Sequence, residues 1–514
     1  MSASAPRTGR PDSVTAAARA LAPLAVAGLV AVALVLAATG AYVALLAPVV
    51  LLGAVAALLR WPDAATSIFA VLLYTNASAV AVQVHGVPFL IAAAIPLLLC
   101  LPIARDLLQG KAPIATSGLP FLMAYLAVDL VGALLAVRPE EAMDETLTFT
   151  LEGVLLYLLV TNAIRTQAVL QQVLWALIAA GACMGALVAY QQFTGSFDNN
   201  FGGFARVDIG AQGFVLNPMA DEVRQPRLGG PLAMPNRFAQ IMAALIPIAL
   251  FQIQVSRART VKLLAAGGLV LIMVGGSLGF SRGAAVALAL VFPVMLLMGR
   301  VSVRQLAAGA LALLAVALMV PQYAIRLASL GTVADIATND GASIEDADSS
   351  TQGRITEAVA GVLMFADHPV LGVGPGMYPQ HYNDYARIAG GRVRDGTREP
   401  HSFPLHIAAE NGILGLGTLG AVIWLSIRDL LRARRRLAQG PRDLERLVTG
   451  VLLAVLVYLA TSLFLHASYA RYLWFLLALG AAAARLPFSR ETAPTALRVR
   501  LVRVGADRSH EGAP

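Results

Sequence analysis

The chain has 514 residues, of which 58% are hydrophobic and only 13% charged, with a formal net charge of +8. A soluble globular chain averages roughly 25% charged and 45–50% apolar residues, so an ordinary water-soluble domain is excluded. The excess of positive charge sits just beyond the ends of apolar runs, which is the pattern of membrane topology and not of nucleic-acid binding.

An apolar run of about 20 residues crosses a bilayer core of roughly 30 Å, and such runs recur along nearly the whole chain. Residues 1–20 form a basic arm with Arg7, Arg10 and Arg19. The apolar stretch that starts at Leu21 is followed almost at once by a second, so it reads as a retained anchor and not as a cleaved signal. Spans are expected at about 21–39, 41–59, 64–82, 87–104, 117–137, 146–164, 168–190, 236–254, 261–280, 283–299 and 304–321 within residues 21–321. Three more are expected at about 406–426, 447–466 and 470–486, and a basic tail at 487–514. The expected fold class is thus an all-α integral membrane protein of about 12–14 transmembrane helices, since two pairs are joined by very short turns. With the N-terminus inside, Arg60, Arg105, Lys111, Arg165, Arg257 and Arg300 fall on the cytoplasmic side, as does the run from Arg428 to Arg446.

The opposite face carries two long loops, Gln191 to Pro235 and Gln322 to Leu405, both polar and rich in glycine and aromatic residues. Loops beyond about 12–15 residues are functional or disordered, and the Asp335–Ser350 stretch has the composition of a disordered tip. Two cysteines, Cys100 and Cys183, lie within apolar segments, where packing is expected and not a disulfide or metal site. No pair of broken helices related by an inverted repeat, the mark of many transporters, is legible.

The outer side holds more arginine than such a face should. Arg227 precedes a span, Arg282 occupies the short turn Gly279-Phe280-Ser281-Arg282-Gly283, and Arg354 begins an expected loop helix. A lone arginine there is ordinarily a snorkelling or solvated side chain; several at one membrane surface fit a lipid diphosphate, because guanidinium binds phosphate in a two-pronged fork. His401 stands where the second loop re-enters the membrane, between Pro400 and Pro404, and can exchange a proton near neutral pH. His406 could exchange roles with it, whereas His368 and His381 read as surface residues. No histidine spacing suits a metal, so no metal site and no cofactor is expected. Asp129, Glu152 and Glu410 lie inside apolar spans, where an acid needs a partner or a function; the expectation is that they pair with the outer arginines.

Four segments occur in order: Arg227 with Met234-Pro235-Asn236; Ser281-Arg282-Gly283; His368 through Gly376; and His401-Ser402-Phe403-Pro404-Leu405 with Glu410-Asn411-Gly412. Over roughly residues 200–430 the chain resembles the O-antigen ligase and O-antigen/exopolysaccharide polymerase family of bacterial envelopes. The resemblance implies a GT-C-type helical fold in the inner membrane and a site on the periplasmic or external face. It implies an undecaprenyl-diphosphate-linked glycan as donor, and lipid A-core, another lipid-linked glycan or protein as acceptor. In this chain it points to Arg227 and Arg282 with His401 as catalytic residues, and to Arg354, Asn236 and Ser281 around the donor. Position 402 is Ser and position 404 is Pro, a departure that can change the local backbone. The expected reaction is an inverting, metal-independent glycosyl transfer, with the arginines on the diphosphate and His401 as base. A transporter or flippase of lipid-linked sugars is the rival; it would need its charges near the bilayer midplane.

Overall fold

The computed structural model describes residues 56–207, 214–216, 224–297, 311, 349–389, 398–466 and 471–486. The basic arm, the basic tail, most of the Asp335–Ser350 stretch and the expected spans at 21–39, 41–59 and 304–321 lie wholly or for the most part outside the described residues. The protein is an all-α, multi-pass membrane protein. Among the described residues, 7 helices are long and apolar enough to cross a bilayer, or 8 with one bent pair taken as a single span.

That bent pair is α1 (Pro62–Tyr74) and α2 (Ala77–His85), which meet at 55° across a left-handed Asn76. Next come α3 (Phe89–Ala93) and α4 (Cys100–Leu108), joined by a 3-10 turn, and then α5 (Leu119–Leu135). The expected span at 146–164 starts earlier, with α6 (Pro139–Phe149), and continues through a π-helical turn into α7 (Leu156–Ala163). α8 (Gln167–Thr194) leads into the first long loop. There β1 (Arg206–Val207) pairs antiparallel with β4 (Leu228–Gly230), and β2 (Phe214–Leu216) with β3 (Arg224–Pro226). α9 (Pro235–Val255), α10 (Arg259–Ser277) and α11 (Arg282–Leu297) follow. The second loop contributes α12 (Ser349–Asp367) and α13 (Tyr378–Ile388), and α14 (Phe403–Leu437), α15 (Arg442–Ser462) and α16 (Arg471–Arg485) complete the described bundle.

α9 and α15 pack together at the centre and are buried along most of their length. α8 and α10 approach closely because small residues face each other: a Cβ on Gly185 would lie 2.1 Å from the Leu271 carbonyl oxygen, and one on Gly275 would lie 2.5 Å from the Gly185 Cα. Van der Waals contact of this kind replaces the hydrophobic drive that lipid cannot supply. Cys100 and Cys183 are exposed on the bundle surface and unpaired, not packed in the core as expected. The basic run Arg428–Arg436 is helical and not a loop. Leu430, Ala433 and Leu437 stay buried at helical spacing, so the apolar stripe carries α14 well past the expected end at 426.

α14 begins with Pro404 in its first turn, where a missing N–H costs little. It is broken at Gly412, whose φ of 62° and ψ of −160° lie in a region open essentially to glycine alone. The segment after α12 fills this break. Val373 and Gly374 donate their N–H groups to the carbonyls of Ala409 and Glu410 at 2.9 and 3.0 Å. In return Ile413 and Leu414 donate to the carbonyls of Pro369 and Val370 at 2.8 and 3.3 Å. Backbone groups lost from the helix ladder are thereby satisfied inside the membrane-facing structure, as they must be. A Cβ at Gly412 would lie 2.3 Å from the Val370 carbonyl oxygen. Gly412→Ala is therefore expected to destabilise the protein by about 3 kcal/mol or more, seen as loss of monodisperse detergent-purified protein at temperatures the wild type withstands.

Candidate active site

Arg282 is the first residue of α11, and Arg354 lies in the first turns of α12. The fold brings both to one narrow cleft, with Asn236 from the first turn of α9 and Ser281 from the α10–α11 turn. Both arginines are half-buried. The N-terminus of α11 adds the positive end of a helix dipole to this cleft, which favours an anion. The cleft holds only about 10 Å³, with the side chains of Arg282 and Arg354 among those that line it.

Arg227 sits behind that cleft. It is 1% exposed and donates from Nε and Nη2 to the Gly279 carbonyl at 3.2 and 2.8 Å, and from Nη2 to Asn236 Oδ1 at 2.7 Å. Arg227 was expected beside the donor with Arg282; here its guanidinium is engaged by the Gly279 carbonyl and Asn236. Its guanidinium ties the strand before α9 to the Ser281-Arg282 turn and braces the residues that line the cleft.

His401 lies just before α14, and its Nδ1 is 2.7 Å from Glu357 Oε2. Glu357 is 2% exposed. It stands three residues after Arg354 in α12, so the carboxylate and the arginine share one helix face. Tyr378 donates its hydroxyl to the Glu357 carbonyl at 2.5 Å, which fixes that turn of α12; burial raises the Tyr378 phenol well above its ordinary range. The His401 ring meets His466 edge-on at 5.8 Å. His466, between α15 and α16, is bonded through Nδ1 to Glu399 and through its carbonyl to Arg237. Burial lowers the His466 pKa from its ordinary value, and the adjacent Glu399 carboxylate opposes that shift.

The intramembrane acids do not pair with the outer arginines in the way expected. Asp129 Oδ1 accepts from Asn411 Nδ2 at 2.8 Å. Glu410 accepts from the N–H groups of Gly376 and Tyr378, each at 3.0 Å, and lies 3.1 Å from His406 Nε2. It thus caps the N-terminus of α13, where a helix dipole replaces a guanidinium as counter-charge. Glu152 alone pairs with an arginine, Arg471 at 3.2 Å, and that arginine also donates to Asn76 at the α1–α2 break. A second cavity, of about 220 Å³, opens among α5, α6, α14 and the Glu399 segment, and is lined by Asp129, Glu145, Glu399, His406 and Glu410 together with aromatic rings.

Residues 267–420 match the family model described as O-Antigen ligase. That segment, less than a third of the chain, is similar to O-antigen ligases. This supports a membrane glycan-transfer function of the O-antigen ligase or polymerase type, with a lipid-linked glycan as substrate and a glycan acceptor. A search of curated proteins finds no match to this chain.

The matched segment includes Arg282, Arg354, Glu357, His401 and Glu410, and leaves Arg227, Asn236, Asp129 and His466 to the flanking parts of the chain. Sequence reasoning missed Glu357, Glu399 and His466. The spacing of Glu357 from Arg354 was the available signal for the first. It also missed that Glu399, His406 and His466 each bring one ligand-type atom within 4.8 Å of the others, because these residues come from three separate segments. Both histidines also face a carboxylate, His466 Nδ1 that of Glu399 and His406 Nε2 that of Glu410.

Proposed function

We propose that this chain takes a glycan from undecaprenyl diphosphate and joins it to the hydroxyl of a second glycan. The acceptor is lipid A-core or a growing polysaccharide, and the site faces the periplasm or exterior of the bacterial inner membrane. Arg282 and Arg354, with Asn236 and Ser281, hold the diphosphate; Arg227 braces them from behind. The His401 Nδ1–H donates to Glu357, which leaves Nε2 as the acceptor of a proton and stabilises the imidazolium that forms. The acceptor oxygen attacks the anomeric carbon from the face opposite the diphosphate. As the new C–O bond forms, its proton passes to His401 Nε2, and the old bond breaks with its electron pair leaving on undecaprenyl diphosphate. That geometry inverts the anomeric centre. Fixed guanidinium groups supply the charge stabilisation for which many transferases use a metal ion.

The observation that carries this reading is that Arg354 and Glu357 share one face of α12. A single helix thereby presents a diphosphate ligand to one cleft and a carboxylate to the histidine beside it. The clustering of these charges at one end of the bundle, under the second loop, favours an enzyme over a transporter. The deciding experiment incubates purified protein with undecaprenyl diphosphate carrying a radiolabelled glycan, and with lipid A-core or a second lipid-linked glycan. Label is expected in the acceptor, with or without EDTA. Donor that is bound but never transferred would sink the enzyme reading. Loss of transfer in EDTA, restored by Zn²⁺ or Mn²⁺, would make Glu399, His406 and His466 a working metal site and remove the metal-independent mechanism.

A further inference from the structure

The acidic cavity beside the histidines has no part in holding a diphosphate. No lysine or arginine occurs among the described residues that line it, while Asp129, Glu145, Glu399 and Glu410 all do. An anionic ligand would be repelled there. One polar atom in it lacks a donor: Asp129 is 4% exposed, its Oδ1 accepts from Asn411, and the nearby Thr146 hydroxyl spends its proton on the Ala142 carbonyl, which leaves the buried Oδ2 without one. A buried carboxylate oxygen without a donor is costly and calls for a ligand that supplies one. The opposite wall is aromatic. Tyr125 meets Phe149 at 5.1 Å, and Phe149 meets Trp474 at 5.4 Å. Carboxylates that accept from hydroxyls, set against ring faces that pack on C–H groups, are what a sugar ring needs from a protein. The cavity, at about 220 Å³, is smaller than the roughly 300–1,000 Å³ of a drug-sized pocket, so it takes one ring and not an oligosaccharide. Glu399 joins it to the chemistry, since its carboxylate lines the cavity and bonds His466, whose ring abuts His401.

We propose that this cavity is the acceptor subsite, and that it selects an acceptor whose terminal sugar is neutral or carries an amine, against uronic or otherwise acidic sugars. The proposal rests on the glycan-transfer reading above. Asp129 is the positioning residue: its Oδ2 takes a hydrogen bond from the ring and orients another hydroxyl toward His401.

The test uses the full chain in detergent and saturation-transfer NMR with three probes, the methyl glycosides of glucose, glucosamine and glucuronic acid. Signal is expected for the first two and about tenfold less for the third, as for a site that recognises hydrogen-bonding groups by pairing them. Asp129→Asn should weaken the first two. Glu145→Gln, at an exposed position on the cavity rim, should reduce the discrimination against the glucuronide without threatening the fold. Equal binding of all three, no binding of any, or binding unchanged in both variants would overturn the proposal. So would tight binding of Mn²⁺ that displaces the glycosides, which would make the cavity a cation site. Inorganic pyrophosphate, followed by ³¹P NMR in wild type and Arg282→Lys, reports on the arginine cleft separately. If pyrophosphate binds through Arg282 while the glycosides fail, only the acceptor subsite is lost; if pyrophosphate fails, the donor reading falls on its own.

Discussion

His401→Ala is expected to lower glycan transfer by about 10²–10⁴-fold, the usual loss for a positioned general base, while donor binding stays near wild type. The separation follows from the geometry: the arginines of the donor cleft come from α11 and α12, and the histidine hangs from the segment before α14. Glu357→Gln should cost less, on the order of tenfold or more, because an amide can hold the ring but can also donate to Nδ1 and favour the wrong tautomer. A carboxylate that served the fold alone would change protein yield and leave the rate per folded molecule intact. His406→Ala should be milder in turnover, because His406 is turned to Glu410 within α14. Normal turnover at saturating donor in His401→Ala, with a raised donor KM, would make the histidine a phosphate ligand. A dead His406→Ala beside an active His401→Ala would move the base by five residues.

Arg282→Lys is expected to lose most activity in a protein that still inserts and purifies normally. Lysine keeps the charge but presents a point ammonium in place of a planar fork, so two-pronged contact with phosphate is lost. Removal of a single charge-stabilising donor from a preorganised site costs about 10²–10³-fold in turnover. Donor KM and kcat should both be affected, because the diphosphate is bound in the ground state and gains charge as the glycosidic bond breaks. Arg227→Lys should act differently. Its partners are the Gly279 carbonyl and Asn236, so the expected result is lower thermal stability together with lower activity. Full turnover in Arg282→Lys and Arg282→Ala alike would remove the residue from the site.

Several of these residues stood out in the sequence because they broke a rule of membrane composition. Arg282 is a charge in a short turn between apolar runs, and Asp129 and Glu410 are acids in apolar helices. Such violations are visible locally, whereas the partners that resolve them are not. The expectation that acids pair with arginines used charge alone. In the fold, Glu410 finds backbone N–H groups at the start of α13, and Asp129 finds an amide, because these were the donors within reach. The glycine-rich segment from His368 to Gly376 was legible only as part of a family pattern. Its physical role, filling the break in α14 at Gly412, needed both segments of the chain side by side.

The sequence by itself determined that this is a membrane protein of many helices, and it drew attention to arginines and to His401 beside apolar runs. Hydropathy and the positive-inside pattern are sums over neighbouring residues, so they survive without knowledge of the fold. Only the tertiary structure decided that His401 leans on Glu357, 44 residues away, and that Asp129 meets Asn411, 282 residues away. It alone showed Arg227 tied to the Gly279 carbonyl and Asn236, and it alone opened an acidic cavity among α5, α6 and α14. Hydrogen bonds act over about 3 Å, and which side chains come that close depends on how helices distant in sequence pack, which no local pattern records.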